Sequence, residues 1–465
     1  MTIHFIVNDQ IVERETDPFV LLLDFLRLES GLRGTKQGCR EGDCGACSVL
    51  VGHLNNESVI YNVINSCLCP LSRVDGCHVV TIEGLNGPEL TPVQAAIVTE
   101  GATQCGFCTP GLVISLTGYL LGPGSWSSQG AIAAVAGNIC RCTGYASIRR
   151  AIDLLGKEAD LIPAHQSTRL EYLVRHGIIP EYFEDIAARL GQLSVQKSVS
   201  HPSLAQQIIA GGTDYFVQQH EQKPSRDYYF TGPPFDQVRL EDGDLCIGAA
   251  ATIDAVGRSA DVARFIPHLS EHLRFFASSQ IRKSGTIGGN IVNASPIADM
   301  AIILLAFDTE VGISNGSSVR TVPLSRFFMA YKKVDLKPGE LVIWFKVRKK
   351  DGSLFNYEKV SKRQFLDIAS VNTAICIEVE HGMILSARIS AGGVAPVPLF
   401  LERTSSMAGG LPVTVETARE LARCAEQEAT PIDDIRGSKW YKARLLRHLV
   451  LAHFQVLFGW QEGLL

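Results

Sequence analysis

No stretch of this 465-residue chain approaches the roughly 18 consecutive apolar residues that a membrane-spanning helix needs. The G-x-G-x-x-G fingerprint of a Rossmann dinucleotide site is missing as well, so any nucleotide must be held by other means. An excess of either charge is lacking too: 43 basic against 48 acidic residues leave a formal net of −5, which gives no reason to expect nucleic acid or an anionic membrane as partner. The opening Met-Thr-Ile-His-Phe-Ile-Val-Asn alternates like a strand, without the basic region of a secretory signal or a twin-arginine leader. The expectation is a cytoplasmic protein whose thiols stay reduced.

What is abundant is cysteine, 13 in all, with ten before residue 143. Eight of those ten fall into two spacings. Cys39, Cys44 and Cys47 lie in Gly38-Cys-Arg-Glu-Gly-Asp-Cys-Gly-Ala-Cys47, the C-x4-C-x2-C of plant-type 2Fe–2S sites. The fourth ligand has two candidates in Asn65-Ser-Cys-Leu-Cys-Pro70. Cys67 is chosen because it closely follows the strand-like run Val59–Ile64, whereas Cys69 stands against a proline. A 2Fe–2S cluster is anionic, so its loop must turn tightly and aim backbone N–H groups at sulfur. Gly34, Gly38, Gly42 and Gly45 offer positions where a positive φ costs nothing. A zinc site would favour paired C-x2-C knuckles, and a disulfide loop an oxidising compartment.

The second group, Cys105-Gly-Phe-Cys108 and Cys140-Arg-Cys142, is a C-x2-C and a C-x-C separated by a helical stretch. Cys105 and Cys108 precede Thr109-Pro110, read as an N-cap and a first helical residue. Cys140 and Cys142 precede Thr143-Gly-Tyr145 and the amphipathic run Ala146–Leu155. Both pairs stand at helix entrances, where the dipole favours thiolate and an anionic cluster. Taken alone, four cysteines at these spacings leave zinc open. Cys69, Cys77, Cys246, Cys376 and Cys424 have no ligand spacing and read as buried small hydrophobes.

The Cys39–Cys47 motif, Gln104-Cys-Gly-Phe-Cys-Thr-Pro-Gly111 and Gly137-Asn-Ile-Cys-Arg-Cys-Thr-Gly-Tyr145 together resemble the iron–sulfur half of the xanthine oxidase family of molybdenum hydroxylases. The resemblance runs over nearly the whole chain. It implies one 2Fe–2S cluster on Cys39, Cys44, Cys47 and Cys67 and another on Cys105, Cys108, Cys140 and Cys142. Gln104 would contact the pterin of a molybdenum cofactor.

Two later segments carry a flavin signal. Gln207-Ile-Ile-Ala-Gly-Gly-Thr-Asp214 is a short apolar strand ending in a glycine turn that could form an anion nest, although a plain hairpin turn fits equally well. In Ile281–Asp299, small residues from Gly285 to Asn290 would let a pyrophosphate sit on bare backbone. Thr286 and Asn290 would offer donors, and Asp299 could accept from a ribityl or ribose hydroxyl. Both segments resemble the FAD-binding domain of the same family, related to vanillyl-alcohol oxidase-type flavoproteins. The resemblance implies that Ile208, Ile209, Ala210, Gly211, Gly212, Thr213, Asp214 and Tyr215 hold the pyrophosphate and adjacent groups. Phe276 would sit by the isoalloxazine ring, and Thr286, Gly289, Asn290, Val292, Asn293 and Asp299 would line the cofactor. Val342 matches a further family position, and Tyr331 one near the nicotinamide of NAD. Lys359 matches a lysine at the flavin edge, where a cation would stabilise the anionic reduced flavin. Leu366 before Asp367 departs from some relatives and leaves the balance between NAD and oxygen open.

Hydrophobic residues at 46% and charged residues at 20% give ample core, and the length suits about three domains. The expected fold is a multidomain α+β chain. It comprises a ferredoxin-like β-grasp (1–85), a four-helix 2Fe–2S bundle (86–156), a linker with short helices (157–200), an FAD-binding α+β domain of vanillyl-alcohol oxidase type (201–350) and a C-terminal α+β subdomain (351–465). The chain is too short to add a molybdopterin domain. The resemblance therefore implies an electron-transfer subunit, in a heterotetramer with two molybdopterin-bearing large subunits, passing electrons through the clusters to FAD and NAD. A purine such as hypoxanthine or xanthine would be the reductant and urate the product; an aldehyde or N-heterocycle hydroxylase shares the layout. A stand-alone NADH-dependent flavin/ferredoxin reductase would need a nucleotide-binding βαβ unit, which is not found, and has no use for C-x-C. An iron-sensing or scaffold protein with degenerate sites is the other rival.

The purified chain is expected to carry four iron atoms, two for each cluster, and one FAD. Zinc in place of iron, or a colourless protein without flavin absorbance, would exclude this assignment.

Overall fold

Alternation along the first strand sets the layers of the N-terminal part. In β1 (Thr2–Val7), Ile3, Phe5 and Val7 enter one core while Ile6 is buried on the opposite face. With β2 (Gln10–Glu15), β3 (Ser48–Asn55), β4 (Ser58–Asn65) and β5 (Cys77–Val80) it makes a sheet of order β2-β1-β5-β3-β4. The β1–β5 pair is parallel and the other pairs are antiparallel. Leu22, Phe25 and Leu26 pack on the sheet. Their helix does not open at Asp17-Pro18, although an Asp followed by Pro is a common helix start. It begins as α1 (Leu22–Asp24) and passes into a π-helical turn over Phe25–Glu29. Backbone pairing delays it: Leu22 N–H donates to the Cys69 carbonyl and Leu71 N–H to that of Val20, each at 2.8 Å. The chain thus stays extended through Leu21.

The computed structural model describes residues 2–193, 208–218, 228–229, 232–350 and 352–460. The end of the expected linker (194–200) and the opening of the expected FAD-binding domain (201–207) lie outside the described residues. What is described divides into two compact units. The first holds 2–193, 212–218 and 278–284; the second holds 208–211, 228–229, 232–277, 285–350 and 352–460.

Beside the sheet, the first unit contains α2 (Pro92–Thr99), α3 (Thr109–Leu121), α4 (Ser128–Val135) and α5 (Ala146–Ala159). Thr91 and Gln94 form a reciprocal capping box on α2. At α3 the cap differs from expectation: Cys108 is the N-cap, and the Thr109 hydroxyl is engaged with that of Thr103 at 2.7 Å. The stretch read as a linker packs instead of trailing. Leu173, Ile178, Ile179 and Phe183 join the helical core, and Ile186 and Leu190 cover Ile6 on the outer face of the sheet. Arg169, buried without a carboxylate partner among the described residues, donates to the carbonyls of Leu120, Gly122, Gly124 and Pro163. It thereby satisfies orphan acceptors at the end of α3.

The second unit is built on two antiparallel sheets. One has five strands in the order Val319–Pro323, Glu310–Ser314, Leu341–Val347, Asp244–Gly248, Val238–Glu241. The other has Leu354–Val360, Val371–Glu380, Met383–Gly392 and Leu399–Phe400. The helix Asp299–Ala306 is buried on all sides and shares a core with Phe345 of one sheet and Phe355 of the other. The helices Val415–Glu428 and Lys439–Phe458 cover the four-stranded sheet through Leu421, Leu446, Val450 and Phe454. Among the described residues no helix is long and apolar enough to cross a membrane.

Each unit buries a neutral imidazole. His78 lies between the Tyr61 hydroxyl (2.7 Å) and the Asn8 carbonyl (2.8 Å), and burial pushes it down to about 4. His453 bridges Asn356 (2.9 Å) and Thr373 (2.8 Å), and burial pushes it down to about 3. Both folded values lie below the unfolded one, so the unfolded chain takes the protons. The stability is whole above about pH 6.5 and is lost as pH falls, by ~1.4 kcal/mol per pH unit for each group. The guanidinium midpoint is expected to drop between pH 7.5 and 5.5, and less steeply in His78→Gln/His453→Gln. An equal slope in the two proteins would refute this origin.

Candidate functional site

The loop carrying Cys39, Cys44 and Cys47 wraps its sulfurs in backbone donors. Glu41 N–H and Cys44 N–H point at Cys39 Sγ (3.3 and 3.4 Å), and Cys39 N–H points at Cys44 Sγ (3.5 Å). The neighbouring Cys44 thiol and these N–H groups hold the Cys39 thiol down to about 5. Cys47 Sγ and Cys67 Sγ are 3.3 Å apart, while the Cys69 thiol donates to the Pro70 carbonyl inside the β-grasp core. Of the four glycines expected to take positive φ, Gly42 and Gly45 do so (77° and 66°). Gly34 and Gly38 do not, and are needed for room instead: a Cβ on Gly38 would sit 2.8 Å from Cys44 Sγ.

The second group has the same two-by-two plan. Cys105 Sγ and Cys142 Sγ are 3.5 Å apart, and the Cys108 and Cys140 thiols are neighbours. Cys105 and Cys142 are exposed; Cys108 and Cys140 are buried. Gln104, the candidate pterin contact, is exposed beside them. A zinc site gathers its ligands around one ion. Thiols in pairs suit a cluster in which each of two irons takes two thiolates.

The two cysteine loops are joined directly. Ile139 N–H donates to the Cys44 carbonyl (3.0 Å) and Asn138 Nδ2 to that of Gly45 (2.9 Å). A Cβ on Gly45 would lie 2.2 Å from the Gly137 carbonyl oxygen. The Asn138 side chain also accepts from Ser115 Oγ (2.8 Å) and Gln280 Nε2 (3.2 Å). Gln280 is buried and Ile281 packs over Gly42, so 278–284 closes over both loops. Sequence reasoning missed Asn138, Gln280 and Ile281, since neither spacing nor charge marks them.

The flavin candidates are divided. Gly212, Thr213, Asp214 and Tyr215 belong to the first unit, with Gly212 at φ 69° and the Phe216 N–H on its carbonyl. Ile208, Ile209, Ala210 and Gly211 belong to the second, where Ile208–Ile209 pairs in parallel with Tyr228–Tyr229. In the second unit Thr286 caps the short helix Ile287–Val292 through Gly289 N–H (3.0 Å), and Asn290 Oδ1 is buried without a hydrogen-bond partner among the described residues. Bare backbone beside an orphaned amide oxygen suits a polar ligand. Phe276 is half-buried against the core and Val292 is exposed. Asn293 is taken by Lys332 Nζ (2.8 Å), next to the exposed Tyr331. Val342 is buried within its sheet.

Asp299 and Lys359 meet, which changes their expected roles. Lys359 Nζ is 2.9 Å from Asp299 Oδ2 and 2.8 Å from the Phe275 carbonyl, with the two side chains 5% and 11% exposed. Asp299 also accepts from Tyr357 Oη and from Asn372 Nδ2 (2.5 Å). Lys359 is therefore a balanced charge and not a free cation, and Asp299 keeps little acceptor capacity for a ribityl hydroxyl. Asp367 is likewise engaged, by Arg363 N–H and Ile368 N–H, next to Leu366 at φ 52°.

The pairing of thiols, the N–H donors on sulfur and the bare turn at Thr286–Asn290 describe an iron–sulfur flavoprotein. Four family sequence profiles match in chain order: "2Fe-2S iron-sulfur cluster binding domain" over 5–72, "[2Fe-2S] binding domain" over 81–153, "FAD binding domain in molybdopterin dehydrogenase" over 186–347 and "CO dehydrogenase flavoprotein C-terminal domain" over 356–456. The chain belongs to the molybdenum hydroxylases of the xanthine oxidase family, as their iron–sulfur and FAD-binding portion, and its role in such an oxidoreductase is electron transfer. It is similar to xanthine dehydrogenase 1 of Arabidopsis thaliana (26% identity, 94% of this chain, 38% of that protein) and to xanthine dehydrogenase of Emericella nidulans (28%, 88% and 35%). It thus spans little more than a third of these relatives' length. Among solved structures, carbon monoxide dehydrogenase of Hydrogenophaga pseudoflava aligns with a TM-score of 0.53 at 25% identity, over 58% of this chain and 93% of that one. Quinoline 2-oxidoreductase of Pseudomonas putida 86 shares the fold, with a TM-score of 0.51 at 22% identity, over 55% and 90%.

Lys359→Ala leaves the Asp299 carboxylate without its counter-charge, a loss of ~3 kcal/mol for a buried pair. Lys359→Ala/Asp299→Asn is expected to recover most of the lost denaturation midpoint. A double variant no more stable than the single one would show that the pair is not what holds this region.

Proposed function

We propose that the chain relays electrons from a molybdopterin-bearing partner polypeptide to NAD, in an assembly of two copies of each, during oxidation of hypoxanthine or xanthine to urate. The likeness to xanthine dehydrogenases supports the purine. The carbon monoxide and quinoline enzymes among the structural relatives keep another substrate class as the second reading. Cys39, Cys44, Cys47 and Cys67 would hold one cluster and Cys105, Cys108, Cys140 and Cys142 the other. The segments Ile208–Tyr215 and Thr286–Asn290 would each supply residues that hold FAD. When bound, the clusters carry single electrons and the flavin joins them into a hydride for NAD.

One observation carries the direction of flow: Cys105 and Cys142 are exposed, whereas Cys47 and Cys67 are buried. Electron entry belongs at the exposed pair, and the hydrogen bonds of Asn138 and Ile139 lead from it to the other loop. The residues contribute position: N–H donors stabilise thiolate, the buried pair around Cys47 excludes water, and the interlock holds the two loops together. Tyr331, exposed at a hairpin turn, would form the mouth of the nicotinamide pocket.

The test is Cys142→Ala in the assembled enzyme. Substrate should no longer bleach the flavin, while NADH still reduces FAD and the Cys39-containing cluster. Flavin bleaching by substrate at a normal rate would overturn the order of carriers, and absence of molybdenum from the co-purified assembly would overturn the partner.

A further inference from the structure

A pocket of about 500 Å³ opens beside the exposed Cys105, walled by Arg27, Arg33, Lys36, Gln37 and Phe107, all in the first unit. Three of its walls are cations, and among the described residues none of the three has a carboxylate at ion-pair distance. Neighbouring arginines are neutralised: Arg14 by Glu29 at 2.7 Å and Arg40 by Asp24. Arg27 donates instead to the carbonyls of Arg33 (3.2 Å) and Thr35 (2.9 Å), and Lys36 Nζ to that of Arg33 (3.2 Å). Arg27 and Lys36 are thereby held in position, the Arg33 side chain is exposed, and the charge of all three stays uncompensated. Arg27 stands in the π-helical turn Phe25–Glu29, a rare geometry that recurs at functional sites. Exposed apolar side chains lie near in sequence to these walls and to the cysteines: Leu28, Phe107, Ile139 and Tyr145.

We propose that this pocket is a docking site for an acidic segment of the polypeptide that delivers electrons to the Cys105–Cys142 pair. The inference rests on the electron-transfer reading above. Uncompensated cations attract carboxylates and speed encounter, and the exposed Phe107 ring in the pocket wall suits a protein surface better than a free ion. Docking there would bring the donor to the two exposed thiols. A different use of the same cations is to offset the charge of the cluster itself; that use predicts a lowered cluster potential on their removal, with association unchanged.

The experiment compares the full chain, loaded with its clusters and flavin, with Arg33→Gln/Lys36→Gln. The Arg33 side chain is exposed and Lys36 makes a single hydrogen bond, to a carbonyl, so cluster and flavin absorbance should be unaltered. Hexaglutamate binding by calorimetry is expected to weaken about tenfold or more in the variant and in high salt. Association with the molybdenum-bearing polypeptide should weaken in parallel and lose its salt dependence. Inorganic pyrophosphate binding more tightly than hexaglutamate would reassign the pocket to a phosphate ligand and overturn the proposal. So would equal association of both chains with the molybdenum-bearing polypeptide, or a shifted cluster potential with association unchanged. If the wild-type chain bound no molybdenum-bearing polypeptide at all, the electron-transfer reading would fall, and the hexaglutamate comparison would decide the pocket by itself.

Discussion

The first unit depends on one small set of hydrogen bonds: those from Asn138 and Ile139 to the carbonyls of Cys44 and Gly45. They join a loop of the β-grasp to a loop of the helical bundle, and each loop lies within its own cysteine motif. Buried backbone carbonyls must find donors, and here each loop supplies what the other lacks. The approach is close enough that Gly45, Gly111 and Gly137 have no space for a Cβ. Ser115 and Gln280 complete the polar network, so its members are tied into one arrangement. Two anionic clusters on these loops would have a fixed spacing, which is what transfer between them requires.

The surrounding packing serves that junction. Phe183 and Tyr182 close against His78 and Tyr61, with the Tyr182 hydroxyl on the Gly84 carbonyl at 2.8 Å. Arg189 reaches back to Asp9 at 2.6 Å. These contacts fasten the 157–193 segment across both subdomains, which explains why it is helical and apolar on one side. Arg169 draws the end of α3 into the same core. The first unit is thus held by a strap as well as by the interlocked loops.

The second unit handles charge differently. Around the cysteines, backbone dipoles face sulfur; around Asp299, a buried carboxylate is balanced by Lys359 and by two neutral donors. A buried ion pair of this kind adds little net stability but is costly to break, so it specifies an arrangement more than it strengthens the fold. The helix Asp299–Ala306 makes the pair possible. Apolar on every side, it can lie between two sheets with its first residue facing the Tyr357–Asn372 cluster.

The cysteine spacings were legible in the chain because cluster ligation is local: C-x4-C-x2-C, C-x2-C and C-x-C each place sulfurs within one turn of backbone. The glycine-rich turn at Gly285–Asn290 was legible for the same reason. The strands and helices around the cysteines followed from apolar periodicity, but a helix start did not: Cys108 caps α3 where Thr109 reads as the cap. Other features depend on residues far apart in sequence. Leu22 begins its helix where it does because Cys69 holds its N–H, and Arg27 lines a pocket because that helix runs on as a π turn. Lys359 loses its free charge to an aspartate 60 positions away, and Gln280 joins the cysteine loops from within the flavin-binding sequence. Short-range pattern determined the kinds of cofactor. Long-range hydrogen bonding and burial decided which loops touch, which charges are balanced and which thiols remain exposed, because those outcomes depend on partners that only folding brings within reach.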